Sequence, residues 1–361
     1  MVKSVIIRAD ASLQMGTGHI MRCLTLAEAL KKQAVEIEFI CRAHAGNLIE
    51  RIKRQGFKIH VLPLSQNTVI DDGLYGSKWL GSTQQEDAEL CLPILKKIKP
   101  DWLIVDHYSL DQTWQNLLAE CFSKLMVIDD LANRKHQCDV LLDQTYGRKE
   151  SDYVGLVPKR SQRLLGSEYA LLRPEFAEWR EYSLQRRIKP SFKKLLITMG
   201  GVDLNNVTGE LLEVLKDGSL SKELEINIVM GATAPHLKSV QQQAGLLAYK
   251  TNVMVNVSNM AEMMANADLA IGAAGATTWE RCCLGLPTIQ IILAENQRVA
   301  AANLASHGAV LTLNKDGLVN LQNIFFEIEI KKIRLETVSK NAGKITYGNG
   351  STIVVRKLTQ K

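Results

Sequence analysis

The chain has 361 residues, a formal net charge of +6 at pH 7, 46% hydrophobic residues and 23% charged residues. This length predicts two domains, and the composition predicts a soluble globular protein. A dilute positive charge fits an anionic small molecule, whereas nucleic-acid binding would require a basic run with interleaved aromatic residues. No apolar run could span a bilayer, and Arg8 and Asp10 interrupt the first apolar stretch, unlike a signal peptide. We therefore expect a cytoplasmic protein that binds neither nucleic acid nor membrane.

The first half alternates short apolar runs with helical patterns. Most of the runs are continuous in Ile, Val and Leu, which is typical of a parallel sheet covered on both faces. Predicted helices include 19–32 and 46–55, and a polar stretch around 71–76 is interpreted as a loop over a ligand cleft. Repeated βα units indicate a doubly wound sheet with ligand groups after the strand ends. The predicted strands are 4–8, 36–41, 58–62, 102–106, 125–129 and 140–143.

The charged stretch 179–190 predicts a linker that follows a short helix, and the βα pattern then resumes. The fold class is therefore α/β of the GT-B type, with two Rossmann-like, doubly wound domains that face each other across a cleft. The domains are predicted at 1–178 and 190–361, and the last helix, 351–358, is expected to pack back on the first domain. The predicted strands of the second half are 194–199, 225–230, 252–255, 269–272, 288–293 and 309–313.

The stretch after the first strand is the first candidate site. Gly16 and Gly18 allow close approach of a ligand to the backbone, and the following helix start can bind an anion. His19 and Arg22 are three residues apart and share a helix face, so both are candidates, with Arg22 expected to contact the ligand. Asp10 ends the strand and could orient His19, or it could cap the loop. The alternative for the whole stretch is a simple glycine turn with a capping histidine.

Three loops of the second half are candidate substrate sites. Small residues, together with the hydroxyls of Thr277 and Thr278, suit a phosphate, and Glu280 can accept both hydroxyls of a ribose or cap its own helix. A second glycine turn and a polar loop follow other strands and suit phosphate and sugar groups. For these two loops the alternatives are a tight turn and a solvated helix start. The residues assigned to substrate or UDP binding are Gly200, Gly201, Gly275, Ala276, Thr277, Glu280, Glu295, Asn296 and Gln297.

Polar side chains also end two neighbouring strands of the first half. Asp106, His107 and Tyr108 follow one strand, and Asp129 and Asp130 follow the next. Such acidic groups can support a catalytic histidine or bind a sugar. Paired aspartates can also hold a metal, but companion ligands at metal-type spacing are absent from the sequence, so no metal site is predicted. Seven scattered cysteines without a Cys-x-x-Cys pair are interpreted as buried small hydrophobic residues.

With these motifs in place, the chain resembles the nucleotide-sugar hydrolases of pseudaminic acid biosynthesis. The Gly-x-Gly-His-x-Met-Arg-Cys run at 16–23 is the most specific part of the match. The second half also resembles, more loosely, the UDP-binding half of the glycosyltransferase that makes lipid II. The matching stretches are 8–12, 16–24, 105–108, 128–132, 141–144, 169–176, 199–201, 272–285 and 295–297.

The resemblance implies a GT-B enzyme that releases UDP from a UDP-2,4-diacetamido sugar. Water attacks the anomeric carbon, the C–O bond breaks with inversion, and no metal or cofactor is needed. The second domain would hold UDP, and His19 would be the essential catalytic residue. Asp10 and Tyr108, which each follow a predicted strand, are assigned with it as catalytic candidates. A helix start disfavours an imidazolium, so we expect a neutral His19 that can accept a proton.

Two other functions remain open from the sequence. A GT-B glycosyltransferase with a UDP-sugar donor would use an acceptor hydroxyl in place of water, and this fold hosts both chemistries. A non-catalytic sugar-nucleotide-binding protein would keep its UDP affinity without His19. In each case the expected partner is a UDP-sugar, and we expect a monomer.

Overall fold

The computed structural model describes residues 2–65, 76–216 and 220–360. The chain forms two compact units, one of Met1–Leu171 with Asn349–Lys361 and one of Leu172–Gly348. Part of the polar stretch that the sequence assigns to a loop over the cleft, residues 71–75, lies outside the described residues.

The first unit is built on a parallel sheet of seven strands in the order β3-β2-β1-β4-β5-β6-β7. The order changes direction between β1 and β4, which are neighbours although far apart in sequence. The strands are β1 (Ser4–Ala9), β2 (Glu36–Arg42), β3 (Lys58–Leu62), β4 (Trp102–Asp106), β5 (Lys124–Ile128), β6 (Val140–Asp143) and β7 (Gln162–Leu165). The helices between them are α1 (Gly18–Lys31), α2 (Ile49–Arg54), α3 (Gln84–Ile98) and α4 (Gln112–Leu117), with a 3-10 turn at Ser77–Leu80.

Both faces of this sheet are covered by apolar side chains. Along β1, Val5 and Ile7 pack in one core cluster and Ile6 packs in the other, as the alternation of a strand requires. β4 alternates in the same way, with Trp102 in the first cluster and Leu103 in the second. This burial on two faces explains the continuous apolar runs in the sequence.

The second unit repeats this architecture with a parallel sheet of six strands in the order β10-β9-β8-β11-β12-β13. The direction again changes beside the first strand, between β8 and β11. The unit begins with α5 (Pro174–Arg186), and its strands are β8 (Lys194–Thr198), β9 (Glu225–Met230), β10 (Lys250–Val255), β11 (Leu269–Ala273), β12 (Thr288–Ile292) and β13 (Leu311–Asn314). Its other helices are α6 (Val207–Leu215), α7 (Leu237–Ala244), α8 (Met260–Asn266), α9 (Thr277–Cys283), α10 (Arg298–Ser306), α11 (Leu321–Glu329) and α12 (Leu335–Ala342).

The last helix, α13 (Gly350–Thr359), belongs to the first unit. Val354, Val355 and Leu358 are buried in the core cluster that also contains α1. The indole of Trp102 donates a hydrogen bond of 3.2 Å to the Leu358 carbonyl, which fixes the end of this helix beside β4.

All twelve predicted strands are present, with ends within about two residues of the expected positions. The sequence missed β7, a short edge strand whose residues, Gln-Arg-Leu-Leu, have no apolar alternation. The interpretation of 179–190 as a linker was wrong for most of its length, because α5 continues to Arg186 and packs against α8 and α9. For this reason the first unit ends at Leu171 rather than at 178, and α5 belongs to the second unit. All seven cysteines are buried and unpaired, as the sequence predicts.

Candidate active site

The first candidate site lies where β1 and β4 are neighbours. After β1, a tight turn closes with a hydrogen bond of 2.8 Å from the Gly16 amide to the Ser12 carbonyl. Gly16 has a φ of +77°, a left-handed conformation that favours glycine. Thr17 is the N-cap of α1 and Gly18 is its first residue, so His19 is not the cap. The turn therefore places His19 in the first turn of α1, at the edge where β4 ends.

His19 and Asp106 form a buried pair. His19 Nδ1 lies 2.6 Å from Asp106 Oδ1, and the two side chains are 7% and 0% exposed. Arg22 donates to both oxygens of the same carboxylate, from Nε at 2.6 Å and from Nη2 at 2.7 Å, and the Cys23 thiol lies 3.4 Å from it. Burial opposes ionisation, but Arg22 and His19 hold the pKa of Asp106 well below its usual range. The ionised carboxylate therefore accepts from Nδ1–H, which leaves the lone pair of His19 on Nε2.

Arg22 is committed to two carboxylates. Besides Asp106, it donates from Nη1 to Asp130 Oδ2 at 2.5 Å. The Arg22 guanidinium is buried and paired with these carboxylates, and its contact with the ligand stays a prediction. Its observed contacts orient Asp106, and through Asp106 they orient His19.

Aromatic rings enclose one side of His19. The Tyr108 ring meets the imidazole edge-on at a centroid distance of 4.6 Å, and the Trp79 ring stacks on Tyr108 at 5.6 Å. The Tyr108 hydroxyl donates to Asp130 Oδ2 at 3.0 Å. Burial and the nearby Asp130 raise the pKa of Tyr108 well above its usual value, so Tyr108 is a neutral phenol at pH 7. These contacts restrict the imidazole to one orientation.

Asp10 does not orient His19, in contrast to one of the two alternatives from the sequence. Its Oδ1 lies 2.7 Å from Arg8 Nη1 and accepts the Arg42 amide at 2.6 Å, and its Oδ2 lies 3.3 Å from His107 Nε2. Burial would raise the pKa of Asp10, but Arg8 and the two neighbouring histidines hold it well below its usual range. The carboxylate that contacts His19 comes instead from Asp106, through the neighbour relation between β1 and β4, and the assignment of Asp10 as a catalytic residue stays a prediction.

A second group of acids lies beyond Asp130. The Tyr153 hydroxyl lies 2.9 Å from Asp129 Oδ2 and 2.8 Å from Asp143 Oδ2, although a phenol has one proton to donate. Burial and the nearby Asp130 raise the pKa of Asp143 to about 6. In the described part of the chain, no group of three or more His, Cys, Asp or Glu side chains is placed to hold a metal ion.

In the second unit, the glycine turn and the small-residue loop follow the neighbouring strands β8 and β11. Gly200 has a φ of +88°, and Gly200 and Gly201 are half-buried. Asp203 accepts the Val207 and Thr208 amides at 2.9 Å each, so this loop also caps α6. Capping of α6 is compatible with either interpretation of this turn, and its two glycines remain candidates for ligand contact.

The loop after β11 presents its small residues to solvent. Gly275 and Ala276 are exposed and Thr277 is half-buried. Glu280 lies one turn further on, with Oε1 at 3.8 Å from Arg173 Nη2. Burial and the nearby Glu175 raise the pKa of Glu280, and the side chain keeps 18% of its surface exposed. Glu280 thus pairs with an arginine, and its side chain is partly exposed.

The polar loop Glu295–Gln297 forms a 3-10 turn whose side chains are partly engaged. Glu295 accepts from Arg298 Nε at 2.5 Å, and Gln297 Oε1 accepts the Leu293 amide at 2.9 Å. Asn296 Oδ1 is buried without a hydrogen-bond partner. The side-chain groups of this loop that are left for hydrogen bonds to a ligand are therefore mainly those of Asn296 and the Gln297 amide.

The sequence underestimated two acidic residues of this site: Asp106 contacts His19, and Asp130 contacts Arg22 and Tyr108. Asp106 and Asp130 were noted as acids at strand ends but were not assigned to the site. A signal was available, because in a Rossmann-like order the first and fourth strands are neighbours. Among the described residues, no helix is both long enough and apolar enough to cross a membrane.

Comparisons with known proteins agree with this architecture. The model of the glycosyltransferase family 28 C-terminal domain matches residues 195–348. The UDP-2,4-diacetamido-2,4,6-trideoxy-β-L-altropyranose hydrolase of Campylobacter jejuni is 30% identical over 305 residues, which are 84% of this chain and 97% of that protein. The spore coat polysaccharide biosynthesis protein SpsG of Bacillus subtilis is 24% identical over 324 residues, which are 89% of this chain and 86% of that protein.

A solved structure has the same overall fold as this chain. The crystal structure of MurG from Acinetobacter baumannii has a TM-score of 0.70 to this chain at 17% identity, and the match covers 99% of this chain and 100% of that one. Two Rossmann-like units with these relatives define a GT-B enzyme of the nucleotide-sugar class. Within that class, the chain belongs to the family of the Campylobacter jejuni UDP-2,4-diacetamido-2,4,6-trideoxy-β-L-altropyranose hydrolase.

Proposed function

We propose that the chain is a nucleotide-sugar hydrolase that releases UDP from UDP-2,4-diacetamido-2,4,6-trideoxy-β-L-altropyranose in pseudaminic acid biosynthesis. The observation that carries this proposal is the His19–Asp106 pair, in a chain that belongs to the family of a hydrolase with this substrate. An imidazole with its proton on Nδ1, held by a buried carboxylate, is suited to accept a proton from water on Nε2.

In the proposed reaction, His19 Nε2 takes a proton from water while the water oxygen bonds to the anomeric carbon. The bond between that carbon and the β-phosphate oxygen breaks, and UDP leaves with the electron pair. Direct attack by water inverts the anomeric configuration. Asp106 stabilises the imidazolium as it forms, and Arg22 and Tyr108 keep the pair aligned.

The second unit would bind the leaving group. Gly200, Gly201 and the exposed loop of Gly275, Ala276 and Thr277 are accessible to phosphate oxygens. The exposed part of Glu280 would accept hydrogen bonds from the ribose, and Asn296 would contact an N-acetyl group. No step in this proposal uses a metal ion.

The test is UDP release from this sugar nucleotide with a chelator present and no acceptor. Wild type is compared with His19→Asn and with the control His60→Asn, which removes a histidine that pairs with Glu38 on β2 at 2.6 Å. We expect wild type and His60→Asn to release UDP, and His19→Asn to be slower by about 10²- to 10⁴-fold. Release by wild type that requires an added acceptor would contradict hydrolysis and favour a glycosyltransferase. UDP binding without turnover under either condition would favour a binding protein.

A further inference from the structure

Arg281 in α9 is a fully buried cation whose hydrogen-bond partners are all neutral. Its Nη1 donates to Thr277 Oγ1 at 2.9 Å, and its Nη2 donates to the Ala273 carbonyl at 2.8 Å and to Thr278 Oγ1 at 3.2 Å. The residue is 1% exposed, and its Nε has no partner. Within the described residues, Arg281 takes part in no ion pair. Because burial of an uncompensated charge costs free energy, such a residue needs an explanation.

Three other buried arginines of the described chain pair with carboxylates. Arg8 and Arg42 share Asp87, and Arg22 pairs with Asp106. Arg187 has no carboxylate partner, but it donates to four backbone carbonyls, three of them at the end of α8. Arg281 has a single carbonyl, and burial lowers its pKa to about 10. Burial lowers the pKa of Arg187 further, to about 9, so Arg281 is distinguished by its few hydrogen-bond acceptors, one backbone carbonyl and two hydroxyls, and not by the size of its pKa shift.

Arg281 lies directly under the exposed loop 274–277. A Cβ atom at Gly272 would lie 2.5 Å from Arg281 Nη1, so the strand end packs tightly on the guanidinium. The neighbouring Glu280 attracts the guanidinium and favours its charged form, but its carboxylate forms its ion pair with Arg173 and not with Arg281. The guanidinium thus contacts the end of β11 and the first residues of α9, on either side of this loop.

Thr277 connects the buried charge to the surface. Its Oγ1 accepts a hydrogen bond from Arg281, so its hydroxyl proton is available for another acceptor. Thr278 Oγ1 receives both Arg281 Nη2 and Gln290 Nε2, at 3.2 and 3.1 Å, and this holds the guanidinium in place. The half-buried Thr277 hydroxyl is therefore polarised as a donor next to the exposed Gly275 and Ala276.

We propose that Arg281 is a positioning residue for the diphosphate of a nucleoside diphosphate, acting through Thr277 from beneath loop 274–277. The anion supplies the negative charge that the protein does not provide to Arg281. This proposal rests on the proposed function for the identity of the ligand as UDP. It predicts that the contribution of Arg281 to affinity depends on the phosphates of the ligand and not on its uridine.

The test is calorimetric titration of wild type and Arg281→Met with UDP and with uridine. Hydrogen bonds that involve a charged group support a loss of roughly 10- to 100-fold in UDP affinity, with uridine affinity changed by less than about 2-fold. Arg186→Gln is the control, because it removes one positive charge from the same unit at a partly exposed pair with Asp268. That variant should keep the ratio of UDP to uridine affinity.

A second variant covers the case in which Arg281→Met does not fold. Thr277→Val removes the connecting hydroxyl with little change in volume and should lower the same affinity ratio. An unchanged ratio in either folded variant, an equal loss for UDP and uridine, or a wild type without UDP affinity would overturn the proposal. The outcome is independent of turnover: a wild type that prefers UDP over uridine through Arg281 but releases no UDP from the sugar nucleotide refutes only the proposed function.

Discussion

Asp106→Asn tests the catalytic role of the carboxylate that contacts His19 in the first unit. The carboxylate accepts His19 Nδ1 at 2.6 Å and two Arg22 nitrogens at 2.6 and 2.7 Å. Asparagine keeps the volume but replaces one acceptor oxygen with an NH₂ donor, which must face either His19 or Arg22. Since in either orientation His19 loses the negative charge that stabilises its imidazolium, we expect kcat to fall by about 10²- to 10⁴-fold.

The same substitution should also destabilise the fold. Removing one partner of a buried ion pair costs about 3–5 kcal/mol, and the remaining Asp130 contact to Arg22 should keep the loss near the lower value. Asp101→Asn is a matched control at the opposite end of β4, where Asp101 accepts the Lys3 and Ser4 amides at 2.6 and 3.1 Å. It should reduce the melting temperature and leave kcat within about 2-fold. Steady-state UDP release and urea unfolding measure both effects. A folded Asp106→Asn variant with kcat close to wild type would refute the assigned role.

Three further predictions follow from the same contacts. The pKa of Asp143 is raised to about 6, so between about pH 4 and 6 the folded chain keeps a proton that the unfolded chain has lost, and stability falls as pH rises. Asp143→Asn should lack this fall, which is about 2–3 kcal/mol in the free energy of unfolding measured with urea. The same pH dependence in the variant would contradict the assignment of the raised pKa to Asp143. Asp10→Asn leaves buried Arg8 with Asp87 as its remaining carboxylate, so it should lower the melting temperature. Its loss of kcat should be smaller than that of Asp106→Asn, and a larger loss would support Asp10 as a catalytic group. Tyr108→Phe keeps the ring on His19 but loses one hydrogen bond, so kcat should fall less than about 10-fold, whereas Tyr108→Ala should cost more; equal losses would assign the role to the hydroxyl.

Much of the fold could be predicted because local pattern and burial agree. Runs such as Val5–Ile7 are apolar at every position since both faces of the sheet are covered, so their strands are visible without knowledge of the topology. β7 lacked this signal because it is a short edge strand with polar residues. α5 was hidden by its charge: Phe176 and Ser183 are its buried residues, too few to give a clear apolar stripe.

The candidate site could be predicted only in part. His19 was visible because glycines and a helix start surround it in sequence. Its partner Asp106 is 87 residues away, and the pairing depends on the neighbour relation of β1 and β4, which is a property of topology. Arg281 gave no sequence signal at all, since a single arginine in a short helix is usually a surface residue.

The position of the incorporated oxygen is the most direct test of the central claim that His19-activated water attacks the anomeric carbon. Wild type is incubated with UDP-2,4-diacetamido-2,4,6-trideoxy-β-L-altropyranose in water enriched in ¹⁸O, with a chelator and no acceptor, and the initial products are analysed by mass spectrometry. The account predicts that the label appears in the released sugar and that UDP is unlabelled. Label in the β-phosphate of UDP would show attack at phosphorus and would contradict the account.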